Sequence, residues 1–593
     1  MRQKYSSDQT IRGYAFPEFL HNESYGKRKH YHAGSPSEGN IRGFLLPIFL
    51  GGLFVLLVLR AFYLTIINGS EYRLLSDSNR VRTTVIHAPR GVIFDRQGKP
   101  LVLNTPGFRK IAKEKSTILD TDTALSLLAK GDKAIEIDSL RQYPLKEAAV
   151  HVVGYLGGSD FLGKEGLEQS YESTLKGIDG KQLVEVDAMG KPVRKLGVTD
   201  PIPGKDITTT LDADLQKAAY EAMSTAKKGS VIVTTPKGQI LALISKPSFD
   251  PNMFTLGKHY KSATTSGYQH VSDVLLDSEN QPLLDRGIAG TYPPGSTFKL
   301  VTAIAGLESN TIDKNFSIED SGILKLGEFS FGNWYYLQYG KTDGTVNVVK
   351  AIKRSNDIFF YTLAQKIGVD TLSSIARQFG VGQVLGIDLV GEAKGLVPTK
   401  EWKENVMKEQ WYLGDTYHYG IGQGFLLTTP LQVNEWTQVI ANGGTVYRPR
   451  LVEKNEDPVI AKVPIREESL ELIRKGMIEA CQPGGVAWPL FELRIKNKEL
   501  RIDGKNFLEV KVGTKSAGLK NIQEYRQVVV ACKTGTAQHG DEHTKPHAWI
   551  TLFAPVYNPE IVVTVLSESS GEGSNEAAPI AKKVLEAWFT SKN

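Results

Sequence analysis

Three short motifs, in one order, constrain this chain more than anything else in it: Ser296-Thr297-Phe298-Lys299, Ser355-Asn356-Asp357 and Lys533-Thr534-Gly535-Thr536. Ser173-Thr174-Leu175-Lys176 and Ser224-Thr225-Ala226-Lys227 repeat the first spacing, and Ser278-Glu279-Asn280 repeats part of the second. Only the set opening at Ser296 holds all three elements in order, and K-T-G occurs once. Ser355 lies 59 residues after Ser296, and Lys533 a further 178 on. The three must therefore come from separate elements of one large domain.

The residue types explain why they would be brought together. A serine hydroxyl is a poor nucleophile until a neighbour takes its proton. Three residues along a helix sets Lys299 on the face of Ser296. Tyr292-Pro293-Pro294-Gly295 reads as a turn leading into that helix, with Phe298, Leu300, Val301, Ile304 and Leu307 as its apolar stripe. Ser296 then sits at a helix N-terminus, which favours developing negative charge. Ser355 precedes a second apolar helix, 358–364, and its hydroxyl is placed to relay a proton between Lys299, Lys533 and a leaving amine. Capping of that helix by Ser355 or Asp357 is the competing explanation for an isolated Ser-Asn-Asp. Gln527 to Cys532 reads as a β-strand running into K-T-G. Lys533 and Thr534 suit a substrate carboxylate, and Gly535 lets a substrate backbone lie on the strand. The N–H groups of Ser296 and Thr536 would form an oxyanion hole.

With these motifs the chain resembles the class B penicillin-binding proteins from about Arg60 to its end. Ala88-Pro89-Arg90-Gly91-Val92-Ile93-Phe94-Asp95-Arg96-Gln97-Gly98, His151-Val152-Val153-Gly154-Tyr155 and Gly166-Leu167-Glu168 match three pedestal motifs of that family. Gly422-Gln423-Gly424, Thr429-Pro430-Leu431-Gln432 and His547-Ala548-Trp549 match stretches around its cleft. The resemblance implies a peptidoglycan D,D-transpeptidase that cross-links stem peptides through a serine acyl-enzyme and is acylated by β-lactams. It implies Ser296, Lys299 and Ser355 as catalytic residues, and Asp357, Lys533, Thr534, Gly535 and Thr536 as substrate-binding residues. The aspartate ending Ser355-Asn356-Asp357 leans towards elongation-type members. No glycosyltransferase domain is evident, so the resemblance also implies a SEDS-family glycosyltransferase as partner.

Composition narrows the alternatives. The 71 Lys and Arg against 65 Asp and Glu give +6, without a basic block or aromatic interleaving suited to nucleic acid. Cys481 and Cys532 are too few for a disulfide framework, although an exported compartment would permit them to pair. Residues 300–354 contain neither His nor Cys, and no metal or cofactor is expected. Residues 43–59 carry no charge, and the apolar pattern runs on past Arg60 to Ile67. A helix over 43–67 spans roughly 37 Å against a hydrocarbon core of about 30 Å. Before it lie seven Lys or Arg and four acids, which predicts a cytoplasmic N-terminus, a bacterial inner-membrane anchor and an exported remainder. The run lacks a small-x-small site, against cleavage as a signal peptide.

The expected organisation is a basic tail (1–42), a transmembrane helix (43–67), a pedestal (68–209) and an α+β catalytic domain (210–593). Pro201-Ile202-Pro203-Gly204 marks the boundary between the last two. The catalytic domain should hold an antiparallel sheet backed by helices, with a hairpin at 231–244, strands at 527–537, 547–554 and 561–567, and a closing helix near 576–590. Two departures from the family stand out. Only 38 residues (105–142) are left for the upper pedestal, and 490–526 reads as an extra surface loop or hairpin. A serine β-lactamase or β-lactam sensor shares the three motifs, but the anchor, pedestal and long gap before Lys533 disfavour a lactamase. A non-catalytic scaffold is disfavoured by retention of Ser296, Lys299, Ser355 and Lys533.

Overall fold

The computed structural model describes residues 42–591, apart from 113–114, 133, 158–160, 188, 190–191, 257–259, 263–265, 455–457, 497–502, 517–518 and 542. The basic tail expected at 1–42 lies outside them except for Arg42. The chain divides into two compact units, 1–81 and 82–593. In the first, a helix over Arg42–Phe62 runs on through a π-helical turn, Tyr63–Ile67. Its apolar stretch, Leu45–Ile67, is 23 residues long, enough to cross a bilayer core at about 1.5 Å per residue.

In the second unit, the pedestal part is built on a 13-residue strand, Pro100–Ala112, flanked antiparallel by Lys115–Leu119 and Ile135–Gln142. The residues left to the upper pedestal therefore still contribute to three strands of a five-stranded sheet. Two of the three pedestal motifs meet at one carboxylate, joined there by Arg141. Glu168, fully buried, accepts hydrogen bonds from Arg90 Nη2 at 2.8 Å and Arg141 Nε at 2.6 Å. Arg90 also pairs with Glu172 at 2.7 Å. The 90–96 segment is partly turned inward: Arg90 and Asp95 are buried and Arg96 is exposed. A guanidinium taken out of water requires paired carboxylates, and those lie inside the fold.

Pedestal and catalytic parts are stitched together by buried amides. Asn252 exchanges hydrogen bonds with both backbone groups of Tyr143, and Gln216 Nε2 reaches Ala148 O at 2.7 Å. The catalytic sheet contains β1 (Gly229–Thr234), β2 (Ile240–Lys246), β3 (Ala531–Ala537), β4 (His547–Ala554) and β5 (Ile561–Ser567). All neighbours are antiparallel, in the order β2-β1-β5-β4-β3, which leaves β3 at one edge. Helices cover both faces, so the strands read as nearly continuous apolar runs. On one face α1 (Ala213–Ala222) and the closing helix (Ala578–Ser591) pack with Val231, Ile550, Leu552 and Val563. On the other lie α2 (Lys299–Glu308), α3 (Val348–Arg354), α4 (Asp357–Ile367), α5 (Pro430–Asn442) and α6 (Glu467–Ala480), against Trp549, Phe553 and Val562.

One boundary differs from expectation. Gln527 and Val528 end the strand Leu519–Val528, which pairs with Phe507–Ser516, rather than opening the K-T-G strand. The N–H groups of Val528 and Val529 bond to Leu493 O and Asn506 O, so the chain changes sheets there. The described residues of 490–526 accordingly lie largely in this antiparallel pair, which Arg494–Ile495 extends as a third strand. Cys481, at the end of α6, and Cys532, in β3, form a disulfide with Cα atoms 6.0 Å apart.

Candidate active site

The turn before α2 carries Ser296. Gly295 takes φ +54°, a left-handed conformation open to glycine, and its N–H bonds to Gly422 O at 2.8 Å. Trp549 Nε1 holds Pro293 O at 3.1 Å, tying the same turn to β4. Ser296 lies in a 3-10 turn, Gly295–Thr297, that feeds α2, and the stripe Phe298, Leu300, Val301, Ile304 and Leu307 is buried as its spacing implied. The Ser296 side chain is half-buried.

Lys299 is fully buried and turns to the second motif. Its Nζ donates to Asp357 Oδ1 at 2.7 Å and Ser355 O at 2.8 Å, and lies 3.3 Å from Ser355 Oγ. Among the described hydrogen bonds none joins Lys299 Nζ to Ser296 Oγ. Lys533, also fully buried, donates to Ser355 Oγ at 2.9 Å and to Thr534 O at 2.9 Å. Ser355 thus stands between two amines. It reaches them because α3 ends in a left-handed residue, Ser355 itself at φ +54°, and α4 starts immediately after. Such a conformation is uncommon for a residue with a Cβ and is found where surroundings enforce it. The cap of α4 is neither Ser355 nor Asp357 but Asn356, whose Oδ1 accepts from Phe359 N at 2.9 Å.

Two ammonium groups within 3.3 Å of one oxygen are no more than about 6 Å apart. At an effective dielectric constant of about 20 their repulsion is on the order of 3 kcal/mol. Burial, opposed by Asp357, lowers the Lys299 pKa; burial and the Lys299 charge push Lys533 well below its ordinary value. One carboxylate thus faces two lysines, and Ser355 Oγ lies within hydrogen-bonding distance of both amines.

Asp357 and Gly535 both lie within the cluster that the three motifs form. Both Asp357 oxygens are engaged, one by Lys299 and the other by Trp334 N at 3.0 Å, so the carboxylate serves the lysine pair. A Cβ on Gly535 would stand 3.1 Å from Pro294 O and Thr297 Cγ2. The missing side chain therefore admits the Ser296 turn. Thr534 is buried, and Thr536 is exposed with its Oγ1 accepting from Gly573 N at 3.3 Å. Cys532 falls in the opposite core, as alternation along a strand requires. Among the described residues no cluster of His, Cys, Asp and Glu suited to a metal is present.

Sequence reasoning missed the polar residues behind the second motif. Asp320, Asn333, Asp343 and Trp334 reach Asn356 or Asp357 directly. They are scattered over 24 residues, and none of them sits in a motif.

A serine-bearing turn before a helix, a serine between two buried lysines and an edge strand carrying one of them define a penicillin-recognising serine acyltransferase. A family model described as the penicillin binding protein transpeptidase domain matches residues 229–586, and one described as the penicillin-binding protein dimerisation domain matches 133–209. The peptidoglycan D,D-transpeptidase MrdA of Acinetobacter baumannii is 30% identical over 616 residues, covering 91% of this chain and 86% of its own. The Helicobacter pylori penicillin-binding protein PBP2, solved in complex with MreC, is 26% identical with a TM-score of 0.67, covering 86% and 98% of the two chains. A chain from a peptidoglycan synthase complex that coordinates polymerization and crosslinking is 27% identical with a TM-score of 0.65, covering 94% and 99%. The chain belongs to the class B penicillin-binding protein family, in its elongation-type branch.

Proposed function

We infer that the protein is a membrane-anchored peptidoglycan D,D-transpeptidase of cell elongation, working through a serine acyl-enzyme. The observation that carries its mechanism is the meeting of Lys299 and Lys533 on Ser355 Oγ, beside the Ser296 turn. In this reading neutral Lys299 takes the Ser296 proton as Oγ attacks the penultimate D-alanine carbonyl of a stem peptide. The oxyanion is met by the N–H groups of Ser296 and Thr536. The close packing of Gly295 on Thr536 O, where a Cβ would stand 3.0 Å away, supports that pairing. Collapse breaks the D-Ala–D-Ala amide, and the proton returns through Ser355 to the departing amine. An acceptor amine then attacks the ester and frees Ser296. A β-lactam follows the first half and stays attached. Lys533 and Thr534 hold the carboxylate common to both ligands, and Asp357 sets the charge of the lysine pair.

We read 68–209 as pedestal and 210–593 as catalytic domain. The cytoplasmic basic tail and exported remainder follow from the charge bias before residue 43. The Cys481–Cys532 disulfide suits an oxidising exported compartment. A relative's occurrence in a synthase that couples polymerization to crosslinking supports a SEDS-family glycosyltransferase as partner. Intact mass after exposure to benzylpenicillin, with peptide mapping, tests the assignment. One penicilloyl adduct on Ser296, lost in a folded Ser296→Ala variant, is expected; an adduct on any other residue refutes it.

A further inference from the structure

We propose that Asp320 is a positioning residue for acylation, holding the Asp357 carboxylate against the general base Lys299 from outside the three motifs. This rests on the reading of Lys299 as base.

Asp320 is 3% exposed, and its carboxylate is filled by donors. Oδ1 accepts from Gly322 N at 2.9 Å. Oδ2 accepts from Asn333 Nδ2 at 3.0 Å, Asn356 Nδ2 at 2.9 Å and Asp343 N at 2.9 Å. A buried carboxylate is costly unless its lone pairs are met, and four N–H groups from four places in the chain meet these. The effect is a staple. Residues 322, 333 and 343 span an excursion between α2 and α3, and Asp320 pins all three to Asn356, the cap of α4.

From Asn333 the connection runs to Lys299. Asn333 is fully buried, and its Oδ1 accepts from Asp357 N at 3.1 Å, fixing where α4 begins. The next residue, Trp334, gives its N–H to Asp357 Oδ2 at 3.0 Å, leaving Oδ1 for Lys299 Nζ at 2.7 Å. Trp334 Nε1 holds Arg354 O at 2.9 Å, and Arg354 pairs with Asp343 at 2.9 Å. Asp357 is therefore oriented by its backbone and by one of its oxygens, and both holds pass through the segment that Asp320 pins. A carboxylate with one oxygen fixed is pre-organised for the other partner.

The charged groups facing Lys299 Nζ are Asp357 from α4 and Lys533 from β3, with the Phe360 ring 5.5 Å away. Asp343 and Arg354 stand behind Asn356 as a pair. Asp357 favours the charged form of both lysines. The rate of acylation by a neutral amine rises with pH through the lysine ionisation. Releasing Asp357 removes the interaction that raises that pKa, so the acid limb should move to lower pH while the rate above it falls.

The test follows acylation of the full-length protein in detergent by a fluorescent penicillin between pH 5 and 9. Asp320→Asn keeps the volume but replaces half of the carboxylate with donors. It should label to the same final extent, about 10- to 100-fold more slowly, with the acid limb lowered by about half a pH unit or more. Asp357→Asn should move the limb the same way, and adding Asp320→Asn to it should move the limb no further. An unmoved limb, a loss confined to the labelled fraction, or an equal further shift in the Asp357→Asn background overturns the proposal. If Asp320→Asn does not fold, Asn333→Ser cuts the same connection one step nearer Asp357, and an unmoved limb there overturns it equally. A wild-type rate without any acid limb refutes Lys299 as base, and the positioning role falls with it. A wild-type limb unmoved by Asp320→Asn refutes the positioning role alone.

Discussion

Lys533→Met removes an amine while keeping a side chain of similar length, and the structure sets the size of its effect. Lys533 Nζ has two acceptors, Ser355 Oγ and Thr534 O, each at 2.9 Å, in a fully buried position. Thr534 O belongs to the edge strand, whereas Ser355 Oγ is the link to Lys299. A hydrogen bond to a charged group contributes about 1.5–3 kcal/mol net. If the lysine serves only to orient Ser355, its loss should slow acylation by roughly 10- to 150-fold at 1.36 kcal/mol per decade. If it also binds the ligand carboxylate, a second charge-assisted bond is lost and the factor is squared, but only for ligands that carry the carboxylate. Stopped-flow acylation by a penicillin and by its methyl ester separates the two roles. The acid should lose at least about ten-fold more than the ester on Lys533→Met. Equal losses refute carboxylate binding and leave Lys533 a proton-transfer residue. Unchanged rates for both refute the convergence on Ser355 as functional geometry.

Three further outcomes follow from the packing. Glu168→Ala leaves the Arg90 and Arg141 guanidinium groups without the carboxylate that both use, so denaturant unfolding should show a loss of about 3–5 kcal/mol; a loss under about 1 kcal/mol would mean that the brace is solvated. Cys532→Ala should keep β-lactam acylation within a few-fold, because the thiol side faces the core opposite Lys533, yet cost about 2–4 kcal/mol by opening the link to Cys481. A mass unchanged by reduction, rather than raised by about two daltons, would show the thiols to be free. Replacing the helix 43–67 with an unrelated anchor should leave acylation intact and impair wall growth; full complementation removes that helix from the partner interface.

Much of this architecture is written in local chemistry. The sheet is legible because strands covered on both faces read as unbroken apolar runs, and the hairpin at 229–246 appears around Pro236-Lys237-Gly238 as its turn residues demand. The same signal misplaced the start of the K-T-G strand. Val528 and Val530 are equally apolar on either side of a change of partner that only backbone bonding records. At the site, spacing revealed Ser296, Lys299, Ser355 and Lys533 but not their directions. Ser355-Asn356-Asp357 offers three side chains able to cap a helix. Which one does so decides the other two, since a cap at Asn356 turns Ser355 back to the lysines and carries Asp357 onto Lys299. That choice is made by Asp320 and Asp343, which hold Asn356 Nδ2 at 2.9 and 3.1 Å. Neither aspartate has periodicity, motif or charge pattern to distinguish it from the other acids of the chain. The second motif is therefore local in sequence while the geometry that orients it is not: a motif search finds Ser355, Asn356 and Asp357, and the hydrogen bonds from residues 320–343 say which way they face.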